Sequence, residues 1–372
     1  MNKKKIYVTK PDLPELDKFY DKLKILWDTR YLTNNGPFHK KLEQELADFL
    51  GVKYVSLITN GTIALIIALK ALDIKGEVIT TPFTFPATTH ALYWNGLKPV
   101  FCDIRPTDGN IDPDKIESLI TEKTVAILPV HVYGNPCDND KIQQLANKYN
   151  LKVIYDAAHA FGVEKNHKSI LNWGDLSILS FHATKVFNTL EGGAIITNDY
   201  KLKQKIDRLK NFGIIDEVTV IDVGINGKMS EVNAIMGLLQ LEIFEENRKK
   251  REKIFNIYIN ELSKIPGVKI FNYNKEVKYN YSYFPIFIDK KKFGLSRDEL
   301  YMKFRENNVW VRKYFYPLTS QFQMYKSLES ADAKNIPVAI QLSEEVLCLP
   351  IYSTLDLIEV DYIINIIKNA RK

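Results

Sequence analysis

The sequence predicts an α/β protein: a mostly parallel central sheet in a large three-layer domain, followed by a smaller C-terminal α/β domain. Three observations predict it. Short β-rich runs alternate with amphipathic helical stretches from about residue 40 onward. The chain has 372 residues, 45% of them hydrophobic, enough for one large and one smaller folded unit. A long run of helix formers at 229–263 then separates this alternation from a different C-terminal pattern.

Tyr54-Val-Ser-Leu-Ile58 reads as a strand and Thr62 to Leu72 as a helix. Glu77-Val-Ile-Thr80 is a strand, Pro86 to Trp94 a helix opened by proline, and Pro99-Val-Phe-Cys102 a strand. Thr124 to Leu128 and Lys152 to Tyr155 are strands flanking a helix from Lys141 to Tyr149. Leu176 to Leu179 and Gly193 to Thr197 complete the set. In 229–263 the apolar positions Val232, Ile235, Met236, Leu239 and Phe244 recur at helical spacing. The expected division is an N-terminal arm plus large domain over 1–245 and a small domain over 246–372. The latter would hold strands near 281–289 and 309–312 and helices near 296–306 and 355–370, after a Pro266-Gly267 turn.

Composition narrows the function classes. Charged residues are 26% of the chain, the formal net charge is +6, and the charges are dispersed. The basic start (Lys3, Lys4, Lys5) is short. The run Arg248-Lys249-Lys250-Arg251 follows Glu245 and Glu246, so a solvated helix face is favoured over a nucleic-acid patch. Cys102, Cys137 and Cys348 form no CxxC pair and no zinc-spaced cluster, so no metal is expected, and scattered thiols suit a reducing compartment. No signal-peptide core is visible, and no apolar run reaches the roughly eighteen residues of a membrane span. A cytoplasmic protein is expected, with neither nucleic acid nor membrane as partner.

The residues that carry chemistry stand at strand ends, where open α/β sheets bind ligands. Lys185 lies in Ser180-Phe-His-Ala-Thr-Lys185-Val-Phe-Asn-Thr-Leu-Glu-Gly-Gly193, just past an apolar strand. Such an amine can form a Schiff base with the aldehyde of pyridoxal 5′-phosphate. The phosphate of that cofactor needs backbone N–H groups at a helix N-terminus. Asn60-Gly61-Thr62 offers them, with Thr62 as the expected cap, although taken alone such a triplet is more often a purely structural turn. The ring nitrogen needs a carboxylate, and Asp156 closes its strand at the right place; a helix N-cap is its alternative role. His159 would stack beside the ring or orient Asp156, or be a hydrogen-bonded core histidine. Phe85, chosen over Phe83, would cover the ring; either could serve core packing. Ser180 could donate to the phosphate or bond to backbone. Their joint order, all at strand ends, weighs more than any one of them.

These motifs resemble the DegT/DnrJ-type sugar aminotransferases, of the pyridoxal-phosphate-dependent transferase fold type I. The resemblance spans nearly the whole chain: Leu32-Thr-Asn-Asn-Gly-Pro37, Asn60-Gly-Thr62, Phe83-Thr-Phe85, Val130-His-Val-Tyr-Gly134, Asp156-Ala-Ala-His159, Ser180 to Gly193, Gly224-Ile-Asn-Gly-Lys-Met229 and Leu349-Pro-Ile-Tyr352. It implies that Lys185 holds the cofactor and moves protons, that Asp156 pairs with the ring nitrogen, and that Phe85 and His159 flank the ring. Gly61, Thr62 and Ser180 would hold the phosphate. Asn226 would reach it from a neighbouring subunit, giving a homodimer with shared active sites. Thr33, Asn34 and Tyr316 would approach a sugar nucleotide. Lys228 stands where many members have arginine, a departure that replaces a bidentate fork by a point charge. The closest likeness is to enzymes acting on dTDP-4-keto-6-deoxyglucose. This implies L-glutamate as donor and dTDP-4-amino-4,6-dideoxyglucose as product. The alternatives are a 3-keto isomer, a UDP-sugar, or a cofactor-binding regulator without turnover. A desulfurase would need a reactive loop cysteine, and Cys348 lacks basic neighbours.

Overall fold

The computed structural model describes residues 5–371; Lys3 and Lys4 lie outside the described residues. Seven strands form the central sheet: β1 (Tyr54–Ile58), β2 (Glu77–Thr80), β3 (Lys98–Phe101), β4 (Thr124–Leu128), β5 (Lys152–Asp156), β6 (Leu176–Ser180) and β7 (Gly193–Thr197). Their spatial order is β1-β7-β6-β5-β4-β2-β3. All neighbours run parallel except β7, which is antiparallel to both β6 and β1. The cause is the connection. Residues 181–192 contain no helix, and a parallel return requires a crossover of helical length. Lys185 therefore lies on a loop that returns directly into the sheet.

The longer helices are α1 (Leu16–Thr29), α2 (Pro37–Leu50), α3 (Gly61–Ala71), α4 (Pro86–Trp94), α5 (Asn139–Tyr149), α6 (Tyr200–Leu209), α7 (Glu231–Leu262), α8 (Arg297–Glu306), α9 (Pro337–Glu345) and α10 (Leu357–Ala370). Successive strand residues point to opposite faces, which makes three layers. Val78, Ala126, Leu128 and Ile154 pack with Leu65 and Ala68 of α3 and Ala91 and Leu92 of α4. Their neighbours Ile79, Ile127 and Val153 pack with Ile142 and Ala146 of α5. On that second face, nearer β1, Leu57, Leu179 and Ala194 meet Leu42 and Leu46 of α2 and Leu238 of α7. These strands are apolar on both faces, as buried parallel strands must be.

Helices α1, α2, α6 and α9 were not foreseen. In α1 the only buried residue is Leu26, so its apolar residues do not mark a core-facing stripe. In α2 the N-cap is Gly36, which has no side chain to satisfy the first N–H groups. Glu231, fully buried in the first turn of α7, supplies the acceptors: its carboxylate takes the Phe38 N–H at 2.8 Å and the His39 N–H at 2.9 Å. A carboxylate accepting two amides at a helix N-terminus is favoured by charge and by the helix dipole. Glu231→Ala should therefore cost about 2 to 3 kcal/mol in denaturant unfolding, since the buried His39 amide and the half-buried Phe38 amide both lose their acceptor.

Helix α7 spans 32 residues. Its first half, with Ala234, Leu238 and Phe244, belongs to the large-sheet core. Its second half, with Ile254, Phe255, Tyr258 and Leu262, belongs to a separate core built on β8 (Val268–Lys269), β9 (Phe284–Ile288) and β10 (Val346–Leu349). The basic run at 248–251 is not a solvated face throughout. Lys249 and Lys250 are exposed, but Arg248 is buried and bonded to Glu245 and Glu252. Arg251 is buried against Asp12, whose carboxylate also takes the Ser353 hydroxyl. Helical periodicity places charges on a face but does not reveal that an N-terminal arm covers it. The expected strand near 309 exists as Val309–Trp310, yet it pairs in parallel with Ile6–Tyr7 of that arm and not with the small sheet. Among the described residues, no helix is long and apolar enough to cross a membrane, and no cluster of three metal-ligating side chains occurs.

Candidate active site

The C-terminal ends of β1, β2, β5 and β6 and the start of β7 border one cavity of about 650 Å³. Asn60, Gly61, Thr62, Phe85, Asp156, His159, Ser180 and Lys185 all line it. These residues are as much as 125 positions apart in sequence. The parallel sheet brings them together because each follows or closes a strand pointing the same way.

Helix α3 begins at the cavity. Its cap is Asn60, not Thr62: the Asn60 Oδ1 accepts the Ile63 N–H at 2.9 Å, and Thr62 is exposed at the cavity. An extended backbone at Asn60 places its side chain back over the first turn, as an N-cap requires. Gly61 is dictated by a close approach. A Cβ built there would stand 2.8 Å from the Ser180 Cβ and 3.1 Å from its Oγ. The first turn of α3 and the Ser180 hydroxyl thus meet with no side chain between them, forming a cradle of N–H and O–H donors suited to a dianion.

Asp156 closes β5 and is 5% exposed. Its Oδ1 accepts the Ala158 N–H at 3.1 Å, and its Oδ2 accepts the Thr88 hydroxyl at 2.6 Å. Thr88 in turn is 2.8 Å from the Thr84 hydroxyl. Burial raises the Asp156 pKa, and these hydrogen bonds and the Lys185 charge only partly offset it. A buried carboxylate in this condition favours a cation opposite it. Thr88 orients Asp156, one of the two site roles that the sequence left open for His159. Thr84 and Thr88 lie in the same motif as Phe85, but nothing in their spacing singles out Thr88. It becomes visible only once the first turn of α4 is set against the end of β5.

The His159 Nδ1 accepts the Tyr133 backbone N–H at 3.3 Å, so Nε2 carries the proton of the neutral ring. Burial, with Lys185 adding to it, holds the His159 pKa well below the usual histidine range. Phe83 is fully buried in the core, whereas Phe85 is 57% exposed, with extended backbone before α4 and its ring on the cavity wall. The two aromatics thus divide the roles that sequence left open. The half-buried Lys185 amine lies 3.5 Å from the Tyr283 hydroxyl. Burial lowers its pKa to about 8, against the opposing pull of Asp156 and Tyr314. Tyr283, Arg312, Tyr314 and Phe315 also line the cavity and were not foreseen. They come from the small-domain half of the chain, where no local motif distinguishes them.

The remaining sequence candidates do not line this cavity. Thr33 and Asn34 are exposed before α2. Asn226 is exposed and forms an isolated antiparallel bridge with Asn211. The Lys228 Nζ donates to the Asn211 Oδ1 at 2.8 Å and sits 4.9 Å from the centre of the Phe212 ring. Tyr316 is exposed beneath the Arg297 guanidinium, 4.6 Å away.

An amine of lowered pKa, a buried carboxylate lacking a full countercharge, a donor cradle at a helix start and a flanking aromatic together fit pyridoxal phosphate. They define a pyridoxal-phosphate-dependent enzyme of transferase fold type I. Comparison with known proteins agrees. Residues 16–368 match the DegT/DnrJ/EryC1/StrS aminotransferase family, and the chain belongs to it. It is 52% identical over 369 residues to a dTDP-4-amino-4,6-dideoxy-D-glucose transaminase of Shigella dysenteriae, covering 99% of this chain and 100% of that one. An Escherichia coli protein of the same name is 54% identical over 357 residues, 96% of each chain. Among solved structures, DesI in the presence of its TDP-sugar product superposes with a TM-score of 0.93 at 32% identity, over 98% of this chain and 92% of that one.

Proposed function

We propose that this protein is an aminotransferase that moves an amino group from L-glutamate to dTDP-4-keto-6-deoxyglucose, giving dTDP-4-amino-4,6-dideoxyglucose. The observation that carries the reading is the Lys185 amine, with its pKa lowered to about 8, sharing one cavity with the buried Asp156 carboxylate. Full-length likeness to two transaminases of that name supports the substrate. When bound, the cofactor supplies an aldehyde to carry the amino group and an electron sink for the carbanion formed on proton loss. The chain supplies the rest. Asp156 holds a proton on the ring nitrogen, and Thr88 and the Ala158 N–H fix its orientation. Gly61, Thr62 and Ser180 bind the phosphate, while Phe85 and the neutral His159 flank the ring. The free Lys185 Nζ takes the proton from one carbon and returns it to another. An amine with a pKa near 8 has a far larger neutral fraction at physiological pH than an ordinary lysine, although the ammonium form still predominates.

The proposal includes a homodimer, acting in the cytoplasm, in which Asn226 reaches the partner's phosphate site and Thr33, Asn34, Lys228 and Tyr316 contact the nucleotide sugar. Trp94, Val223 and Ile225 wall a single groove next to Asn226, and Trp94 and Val223 are more than four-fifths exposed. Exposed apolar surface of this kind is a mark of an interface. Two measurements test the reading. Purified protein given glutamate and a panel of nucleotide-linked keto sugars should aminate the dTDP-4-keto sugar fastest; no product from any of them would reject the assignment. Mixing Lys185→Ala with Asn226→Ala subunits should restore about a quarter of native activity, because half the dimers are mixed and each then has one intact site. If the mixture is no more active than its components, the sites are not shared.

A further inference from the structure

One contact at the site has no role in the chemistry above: the Lys185 Nζ donates to the Tyr283 hydroxyl at 3.5 Å. Tyr283 immediately precedes β9 and is 7% exposed. Its ring is held by His159 at 4.8 Å, Tyr133 at 5.7 Å and Tyr314 at 5.8 Å, the last edge-on at 86°. Three aromatic groups from three separate chain segments thus fix where the hydroxyl points. Among the described residues, Lys185 is its one hydrogen-bond partner. A buried tyrosine oxygen ordinarily finds a partner, and here that partner is the reactive amine.

We propose that Tyr283 is a positioning residue for Lys185: its hydroxyl holds the free amine at the cavity wall between one proton transfer and the next. The inference rests on the reading of Lys185 as the group that moves the proton. A hydroxyl suits the task in both states of the amine, because it accepts from an ammonium and donates to a neutral nitrogen. Burial pushes the phenol pKa upward, so the hydroxyl keeps its proton. The charged and titratable groups facing this pair are Asp156 and His159 from the end of β5, Arg312 and Tyr314 from the segment after α8, and Cys348 of β10. Among the described residues none of them hydrogen-bonds the Lys185 amine, so the Tyr283 oxygen is the neighbour that can direct it.

The hydroxyl favours the ammonium form more than the neutral one, because a hydrogen bond from a charged donor is the stronger. Tyr283→Phe keeps the ring and removes only that oxygen. In this variant kcat should fall about tenfold while KM for the keto sugar changes less than about twofold. In cofactor-free protein the titration of Lys185 should move about half a unit to one unit below that of the native chain. It is read from the pH dependence of reductive methylation, followed by peptide mass spectrometry. Tyr133→Phe is the packing control, since its hydroxyl donates to the Tyr314 carbonyl, and it should leave the Lys185 titration unchanged. Native kcat with a native Lys185 titration in Tyr283→Phe would overturn the proposal, as would an equal titration shift in Tyr133→Phe. Absence of turnover in the unsubstituted protein would strike the reading of Lys185 instead, so the two failures are distinguishable.

Discussion

Lys185→Ala should lower transamination by more than about 10⁴-fold, the largest single effect available in this chain. On the proposed function two roles are lost at once: the covalent hold on the cofactor and the base that moves the proton. Methyl in place of aminobutyl also removes a cation whose charge partly offsets burial at Asp156. The check is direct. Borohydride treatment of native protein should add the mass of reduced cofactor to the peptide carrying Lys185, and the variant should show no such addition. Activity of the variant within tenfold of native would show that another group moves the proton. The fold should survive, because Lys185 is a half-buried residue of a loop at the cavity wall, outside the helices and strands.

Asp156→Asn should lower kcat on the order of 10²- to 10³-fold with little loss of fold stability. The amide is isosteric: its oxygen can still accept the Ala158 N–H, and its NH2 can donate to the Thr88 hydroxyl, which turns to accept it, so the end of β5 keeps its shape. The buried negative charge disappears. In the native chain that charge is held at a cost, seen in the raised Asp156 pKa, and the cost is returned only when a cation stands opposite it. The sign of the pH effect follows. An acid whose pKa is raised by burial is charged only at higher pH, and a protonated pyridine opposite it would draw the pKa back down. Cofactor-free protein should thus retain stability better than holoprotein as the pH falls through the carboxyl range, because only the holoprotein has the stabilised ion pair to lose. Thermal denaturation with and without cofactor between about pH 4 and pH 7 measures this. In Asp156→Asn the difference should vanish, and a difference as large as in native protein would mean the cation pairs elsewhere.

The central strands were legible in the sequence because each is a short apolar run between turn residues, and the observed limits differ by one or two positions at most. Tyr54–Ile58, Glu77–Thr80 and Gly193–Thr197 are examples. The amphipathic α5 and the proline-started α4 were legible for similar reasons. Helix α2 was not, because its first turn is satisfied by Glu231, nearly two hundred residues away. Nor was the burial of Arg251, which depends on Asp12 from the arm. The same limit acted at the site. Lys185, Asp156 and Gly61 occupy local patterns that name a chemistry. Thr88, Tyr283 and Arg312 do not, since a threonine in a helix turn or a tyrosine before a strand has many ordinary uses.

What the sequence determined alone was the chemistry: an amine, an acid, a helix-start glycine and an aromatic, each placed by its own strand end, together with the alternation that makes the strand ends converge. What only the tertiary structure decided was who serves whom. Thr88 and not His159 orients the carboxylate, Asn60 and not Thr62 caps the helix, and Tyr283 meets the amine. The physical reason is that strand and helix periodicity is set by neighbours within a few residues. A hydrogen-bond partner across the cavity is set by how whole layers pack, and that information is spread over the chain.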